Sequence, residues 1–259
     1  MIGLPSFKNI YNDCFVRTTD GTQIFYPTDY SVAYAGQFLF NNYVVLGSKI
    51  TQCGSMFAEC RNFNQPITIP NNVTDCTYMF SNCQQFNQPI TIPNNVTNCE
   101  GMFWNCCNFN QPVTMSDNIE YCSHMFWNCC NFNQPVIISD KAIYCRSMFN
   151  NCTNLNQSIV VGKNIIDCEG MLEGCDNFGQ NIYFKRKDFY EYFTVSLLLF
   201  NTNKLKRKNI WFNNVLNNRF NISTGGSLVG PPITWTPMAD GHGFYNTAFN
   251  VYCYNIYVP

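Results

Sequence analysis

The chain holds sixteen cysteines and two histidines, His124 and His242. Thiols at this density offer three chemistries: attack by a thiolate nucleophile, disulfide bonding and zinc ligation. Twelve of the cysteines fall on two ladders with a fixed interval of 23 residues: Cys53, Cys76, Cys99, Cys122, Cys145 and Cys168, and Cys60, Cys83, Cys106, Cys129, Cys152 and Cys175. A catalytic nucleophile is needed once, so a motif repeated six times argues for architecture. The two cysteines of one copy stand seven positions apart, about 10 Å along a helix. A disulfide spans only ~4.4–6.8 Å between Cα atoms. No C-x-x-C pair occurs, and two histidines cannot complete a series of zinc sites. The ladder thiols are expected to fill a narrow apolar slot in each copy, with no metal and no cofactor. Cys107 and Cys130 each follow a ladder cysteine in consecutive copies, and they are the candidates for a disulfide under an oxidant.

Other chemistry finds little support. Neither histidine is placed with a nucleophile and an acid, no G-x-x-x-x-G-K-[ST] phosphate loop occurs, and no carboxylate pair stands apart from the background. The "ADGHGF" stretch around His242 reads as a glycine-rich turn. The expectation is a protein that is not an enzyme, with no catalytic residues.

The elements that carry the ladders follow from the period, since a repeat of 20–50 residues signals a stacked architecture. Met56, Met79, Met102, Met125, Met148 and Met171 keep the register, each followed by Phe or, at 172, by Leu. Cys76, Met79, Phe80 and Cys83 have offsets of 0, 3, 4 and 7, which predict one face of a short helix. Phe86 anchors the chain before the Asn87-Gln88-Pro89 corner, Ile90-Thr91-Ile92 alternates as a half-buried strand does, and Pro93-Asn94-Asn95 turns back. One repeat cannot bury its apolar face alone, so neighbours must stack. The predicted fold class is an α/β solenoid, a right-handed coil of about six to seven strand-plus-short-helix repeats over 30–184. An N-terminal hairpin cap at 1–29 turns at Asp20-Gly21. A β-rich C-terminal domain at 185–259 follows, with "DFYEYFTVSLLLF" as a helix or long strand, turns at Gly225-Gly226 and Gly230-Pro231-Pro232, and "FNVYCYNIYV" as a strand.

"ITIPNNVT", then "MFSNC", then "F" and "ITIPNNVT" again resembles the 23-residue BspA-like class of leucine-rich repeat, and "FNQPI" resembles the FNIP repeat. The departures are a cysteine where that class has Ile-Gly and a methionine where it has Ala before the Phe. The resemblance implies a non-enzymatic surface or interaction protein, of a kind found in bacterial surface proteins, protists and large DNA viruses.

Recognition is then expected at positions the core does not require. Trp104 and Trp127 share an offset beside the apolar face in consecutive repeats, and Tyr121 and Tyr144 share another. Clustered exposed aromatics suit an interface, and the other reading is that the terminal domain or a loop folds over them. The strand-centre row Thr68, Thr91, Thr114, Ile137, Val160 and Tyr183 should face solvent and grows more apolar toward its end, which marks either a docking surface or the place where the following domain packs. Asn64, Asn87, Asn110, Asn133 and Asn156 read as amides that satisfy backbone groups at the corners.

Charge narrows the partners. The net charge is −1, with −6 over residues 1–184 and +5 over 185–259. The near-neutral total argues against bare nucleic acid. The basic residues Lys185, Arg186, Lys187, Lys204, Lys206, Arg207 and Lys208 read as a solvated face, and the split charge would allow head-to-tail self-association. The apolar run Val195–Phe200 is far shorter than the ~20 residues that span a bilayer. The start "MIGLPSFKNIYNDCFVR" lacks the regions of a secretion signal. Together these features predict a protein-binding or assembly protein that works with other subunits, most concretely a structural component of a viral particle or similar large complex. It would be made in a reducing cytoplasm and be virion-associated. A cell-surface adhesin of the BspA-like type is the alternative.

Overall fold

A computed structural model describes residues 33–180 and 182–185, together with strand segments on either side of them. Among the described residues twelve short strands run in chain order: β1 (Phe15–Thr18), β2 (Gln23–Phe25), β3 (Val44–Leu46), β4 (Ile90–Thr91), β5 (Val113–Thr114), β6 (Val136–Ile137), β7 (Ile159–Val161), β8 (Ile182–Phe184), β9 (Lys208–Phe212), β10 (Thr236–Pro237), β11 (Gly243–Asn246) and β12 (Val251–Asn255). They form three sheets, in the orders β2-β1-β3, β4-β5 and β10-β11-β12-β9-β8-β7-β6. From β4 to β8 the pairing within each sheet is parallel at an interval of one repeat, as in Ile90↔Val113, Ile137↔Val160 and Val160↔Tyr183. The first two strands pair antiparallel, Phe15 opposite Phe25, and β1 also pairs with β3. At the other end β9 continues the parallel sheet from β8, with Tyr183 opposite Trp211. The turn at Asp20-Gly21, the 188–200 segment, the turns at 225–226 and 230–232, His242 and the basic residues Arg186, Lys187, Lys204, Lys206 and Arg207 lie outside the described residues.

The expected fold class, an α/β leucine-rich-repeat-like solenoid with a short helix in every repeat, is overturned. No helix occurs among the described residues, which carry only short strands in small sheets, single bridges and turns. The reason lies in two backbone positions per repeat. Ser55, Tyr78, Gly101, His124, Ser147 and Gly170 all have φ between 50° and 61°. Four residues later Glu59, Asn82, Asn105, Asn128, Asn151 and Gly174 have φ between 57° and 70°. A left-handed residue at every fourth position cannot propagate a right-handed helix.

The backbone donors divide accordingly. In one repeat Met79, Ser81 and Cys83 donate to the carbonyls of Cys76, Tyr78 and Phe80, three residues back. The alternate residues Cys76, Tyr78, Phe80 and Asn82 instead donate to Asn98, Glu100, Met102 and Trp104 of the next repeat, at 2.7–2.9 Å. A helix would direct every interior N–H back along its own axis. Here half of them join neighbouring repeats. A row of isolated parallel bridges, Gln52, Asp75, Asn98, Tyr121, Tyr144 and Asp167, extends that ladder just before each turn segment.

The same four offsets still point inward, so the core is the one the spacing implies. Cys76, Met79, Phe80 and Cys83 are fully buried, as are their counterparts in the other repeats. Two phenylalanine columns run through the centre. Phe80 and Phe86 stack with centroids 4.3 Å apart within one repeat, and Phe80 meets Phe57 at 5.6 Å and Phe103 at 5.7 Å in its neighbours. Offset stacking at these distances adds to the burial of apolar area.

The second cysteine ladder does more than fill space. Cys83 Sγ donates to the Phe57 carbonyl at 3.0 Å, and Cys106, Cys129, Cys152 and Cys175 donate at the same distance to Phe80, Phe103, Phe126 and Phe149. Burial holds these thiols protonated, with Cys60 pushed up to about 11 and the deeper members higher still. The corner asparagines behave as read from sequence. Asn64, Asn87, Asn110 and Asn133 each accept, through Oδ1, the backbone N–H of the residue 23 positions later, at 2.8–2.9 Å.

Candidate docking surface

Several of the left-handed positions hold half-buried side chains at the edge of the core. At the first of them the residues run Ser55, Tyr78, Gly101, His124, Ser147, Gly170. Gly101 leaves the space that the Tyr78 ring occupies, since a Cβ there would lie 2.1 Å from that ring. Tyr78 leans on Trp104 with centroids 5.7 Å apart and planes at 43°. Trp104 stacks on Trp127 at 4.7 Å and 8°. His124 lies against both indoles, 5.0 Å from Trp127 and 5.7 Å from Trp104. Both indoles are half-buried. Three consecutive repeats thus contribute to one aromatic cluster. At the indole offset its neighbours are the small or buried Ser81 and Asn150.

Glu100 is the polar centre of this cluster. Its Oε1 accepts from the Tyr78 hydroxyl at 3.3 Å and lies 3.9 Å from His124 Nδ1. Burial, and then Glu100, push the Tyr78 hydroxyl above its usual range. Burial draws the His124 imidazole below its usual range, against the pull of Glu100. His124 Nδ1 is buried without a hydrogen-bond partner. The lowered value favours the neutral imidazole at physiological pH, and the cluster sets half-buried aromatic rings beside one carboxylate. Such a surface suits an apolar or cationic side chain of a partner.

Of the sequence-derived candidates, Trp104 and Trp127 meet as described. Tyr121 and Tyr144 stack on each other at 5.7 Å and are exposed, but they sit on the row of bridges. The strand-centre row faces outward. Thr68, Thr91, Thr114 and Ile137 are exposed, Ile137 by 64%, while Val160 and Tyr183 are half-exposed. Thr68 belongs to no strand, whereas Thr91 pairs with Thr114 and Ile137 with Val160. A groove beside Ile137 is lined by Thr114, Asp117, Asp140, Lys141 and Lys163.

Sequence reasoning missed Tyr78, His124 and Glu100. It also missed the second asparagine ladder, in which Asn105 Nδ2 donates to Asn82 Oδ1 and Asn128 Nδ2 to Asn105 Oδ1, both at 2.8 Å. The available signal was the recurrence of Asn or Gly at one offset, the residues that tolerate a left-handed backbone. Assigning the segment to a helix hid it.

No helix among the described residues is long and apolar enough to cross a membrane. No curated protein and no solved structure matches the chain. A family model matches it in overlapping segments, 41–139, 93–187 and 116–224, which together cover more than half of its length and the stacked repeats. The chain therefore belongs to the family described as Mycoplasma protein of unknown function, DUF285.

Proposed function

We propose that this is a non-enzymatic docking protein, a subunit of a larger assembly whose stacked repeats form a stiff support for the aromatic surface. The observation that carries the reading is the Tyr78–Trp104–His124–Trp127 cluster. Every repeat needs its Cys, Met and Phe ladders to close the core, but none needs an indole on the outside. Large, rigid aromatic side chains give an interface much contact area at low entropic cost. The outward row through Ile137 and Val160 is the second area available to a partner.

The assembly we favour is a viral particle or similar large complex in which the protein is a structural component, made in a reducing cytoplasm. Free ladder thiols and a near-neutral, amide-rich surface support this. The alternative, a cell-surface adhesin of the BspA-like type, draws on the resemblance of "ITIPNNVT" and "MFSNC" to those repeats. Sedimentation of the native protein from its source separates the readings. Recovery in a large particle supports the first, recovery on protease-accessible cell surfaces supports the second, and a small freely soluble species overturns both.

A further inference from the structure

We propose that Cys107 and Cys130 form an oxidisable dithiol, which a small-molecule disulfide converts into a cross-link between neighbouring repeats. Of the fourteen cysteines whose burial is described, these are the two that are not buried. They occupy the same position in consecutive repeats, 23 residues apart. The backbone repeats around them as well, since Asn131 N–H donates to the Cys107 carbonyl and Asn154 N–H to the Cys130 carbonyl, each at 3.2 Å. Chains in parallel register lie about 4.8 Å apart, inside the ~4.4–6.8 Å Cα window of a disulfide. The two sulfurs converge on one acceptor, each 3.5 Å from the Asn128 carbonyl oxygen.

Ladder cysteines stack at the same interval but differ in two respects. They are buried, and each thiol of the second ladder is tied to a carbonyl of the preceding repeat. An external disulfide cannot reach them without opening the core. Cys107 and Cys130 need no such opening.

The reaction balances as two exchanges. One protein thiolate attacks a sulfur of oxidised glutathione, forming a mixed disulfide and releasing one glutathione thiolate. The second protein thiolate then attacks the protein sulfur of that mixed disulfide and releases the other. Two thiols are oxidised, two glutathiones are produced, and two protons pass to them through solvent. Burial and the neighbouring Cys130 raise the Cys107 thiol above its ordinary value. Little thiolate is therefore present at neutral pH, and the rate should rise up to tenfold per pH unit, as it does for a thiol below its pKa.

The test uses the reduced full chain, equilibrated with excess oxidised glutathione under native conditions, quenched with acid, alkylated in denaturant and mapped. Cleavage after Glu120 separates the two cysteines, and fragment sequencing distinguishes them from Cys106 and Cys129. The expected product is a Cys107–Cys130 link with the ladder cysteines alkylated as thiols. Cys107→Ser should instead trap glutathione on Cys130. Stable glutathione adducts on wild-type Cys107 or Cys130 without a link, a link to a ladder cysteine, or no reaction at either residue would each overturn the proposal. The wild-type map decides the matter even if the variant folds poorly. The outcome is independent of whether the aromatic surface docks a partner.

Discussion

Asn105 offers a perturbation in which a helix and a left-handed turn predict opposite signs. Its φ is 58°, its Nδ2 donates to Asn82 Oδ1, and its Oδ1 accepts from Asn128 Nδ2, both at 2.8 Å. Replacement by Ala or Gly removes both side-chain bonds equally, at roughly 1 kcal/mol each. The backbone term then separates the two variants. A left-handed Ala is strained by about 1–2 kcal/mol, while Gly adopts that region freely but loses ~0.5–1 kcal/mol more conformational entropy on folding. Asn105→Ala should therefore be less stable than Asn105→Gly, by roughly 1 kcal/mol after these terms offset. In a helix interior the order reverses, with Gly about 1 kcal/mol worse than Ala. Urea unfolding of both variants, compared by midpoint at an unchanged slope, measures the difference. An Asn105→Gly protein that unfolds at lower urea than Asn105→Ala would refute the left-handed turn.

Phe103 is fully buried and stacks on Phe109 at 4.4 Å and Phe126 at 5.5 Å, so Phe103→Ala should cost about 3–5 kcal/mol and loosen the adjoining repeats, read as lost amide protection on both sides. A loss below ~1 kcal/mol would contradict the inward placement. In unreduced denaturant nearly all sixteen cysteines should titrate as thiols, whereas in the native protein alkylation should reach Cys107 and Cys130 well before the ladders. Abundant disulfides would overturn the reducing-compartment reading. His124 has a folded pKa below its ordinary value of 6.5, so its contribution to stability is intact above that pH and is lost as pH falls through the lowered value. The difference between urea midpoints at pH 7.5 and 5 should be smaller in His124→Asn than in wild type, and identical pH dependence in the two would show that this imidazole is not the titrating group.

Burial of the repeated core positions was legible in the sequence, and the backbone conformation between the two cysteines of each repeat was not. The offsets of Cys76, Met79, Phe80 and Cys83 identify the inward face because any tight, regularly turning backbone brings such positions together. Hydrophobic spacing cannot distinguish one helix from two successive turns. The distinction rests on Asn82, Asn105, Asn128, Asn151 and Gly174 at one offset and on Gly101 and Gly170 at another. Tyr78 and Ser147 hold the same conformation without being the residues usually found there, because ladder bonds to the next repeat fix their backbone. Strand positions such as Ile90-Thr91 were legible from alternation, since one face meets the core and the other solvent. The indole pair was visible as a repeated offset. Its extension to Tyr78 was not, because that contact depends on the space left by Gly101.

The docking role of the aromatic surface is tested most directly by replacing Trp104 and Trp127 together with Ala and measuring recovery in the native assembly by sedimentation. Circular dichroism and ladder-thiol protection establish first that the variant is folded. The docking reading predicts that the folded variant associates more weakly by ~2 kcal/mol or more, about thirtyfold, the scale of an interface hot spot. A folded variant that sediments with the assembly as fully as wild type would contradict it.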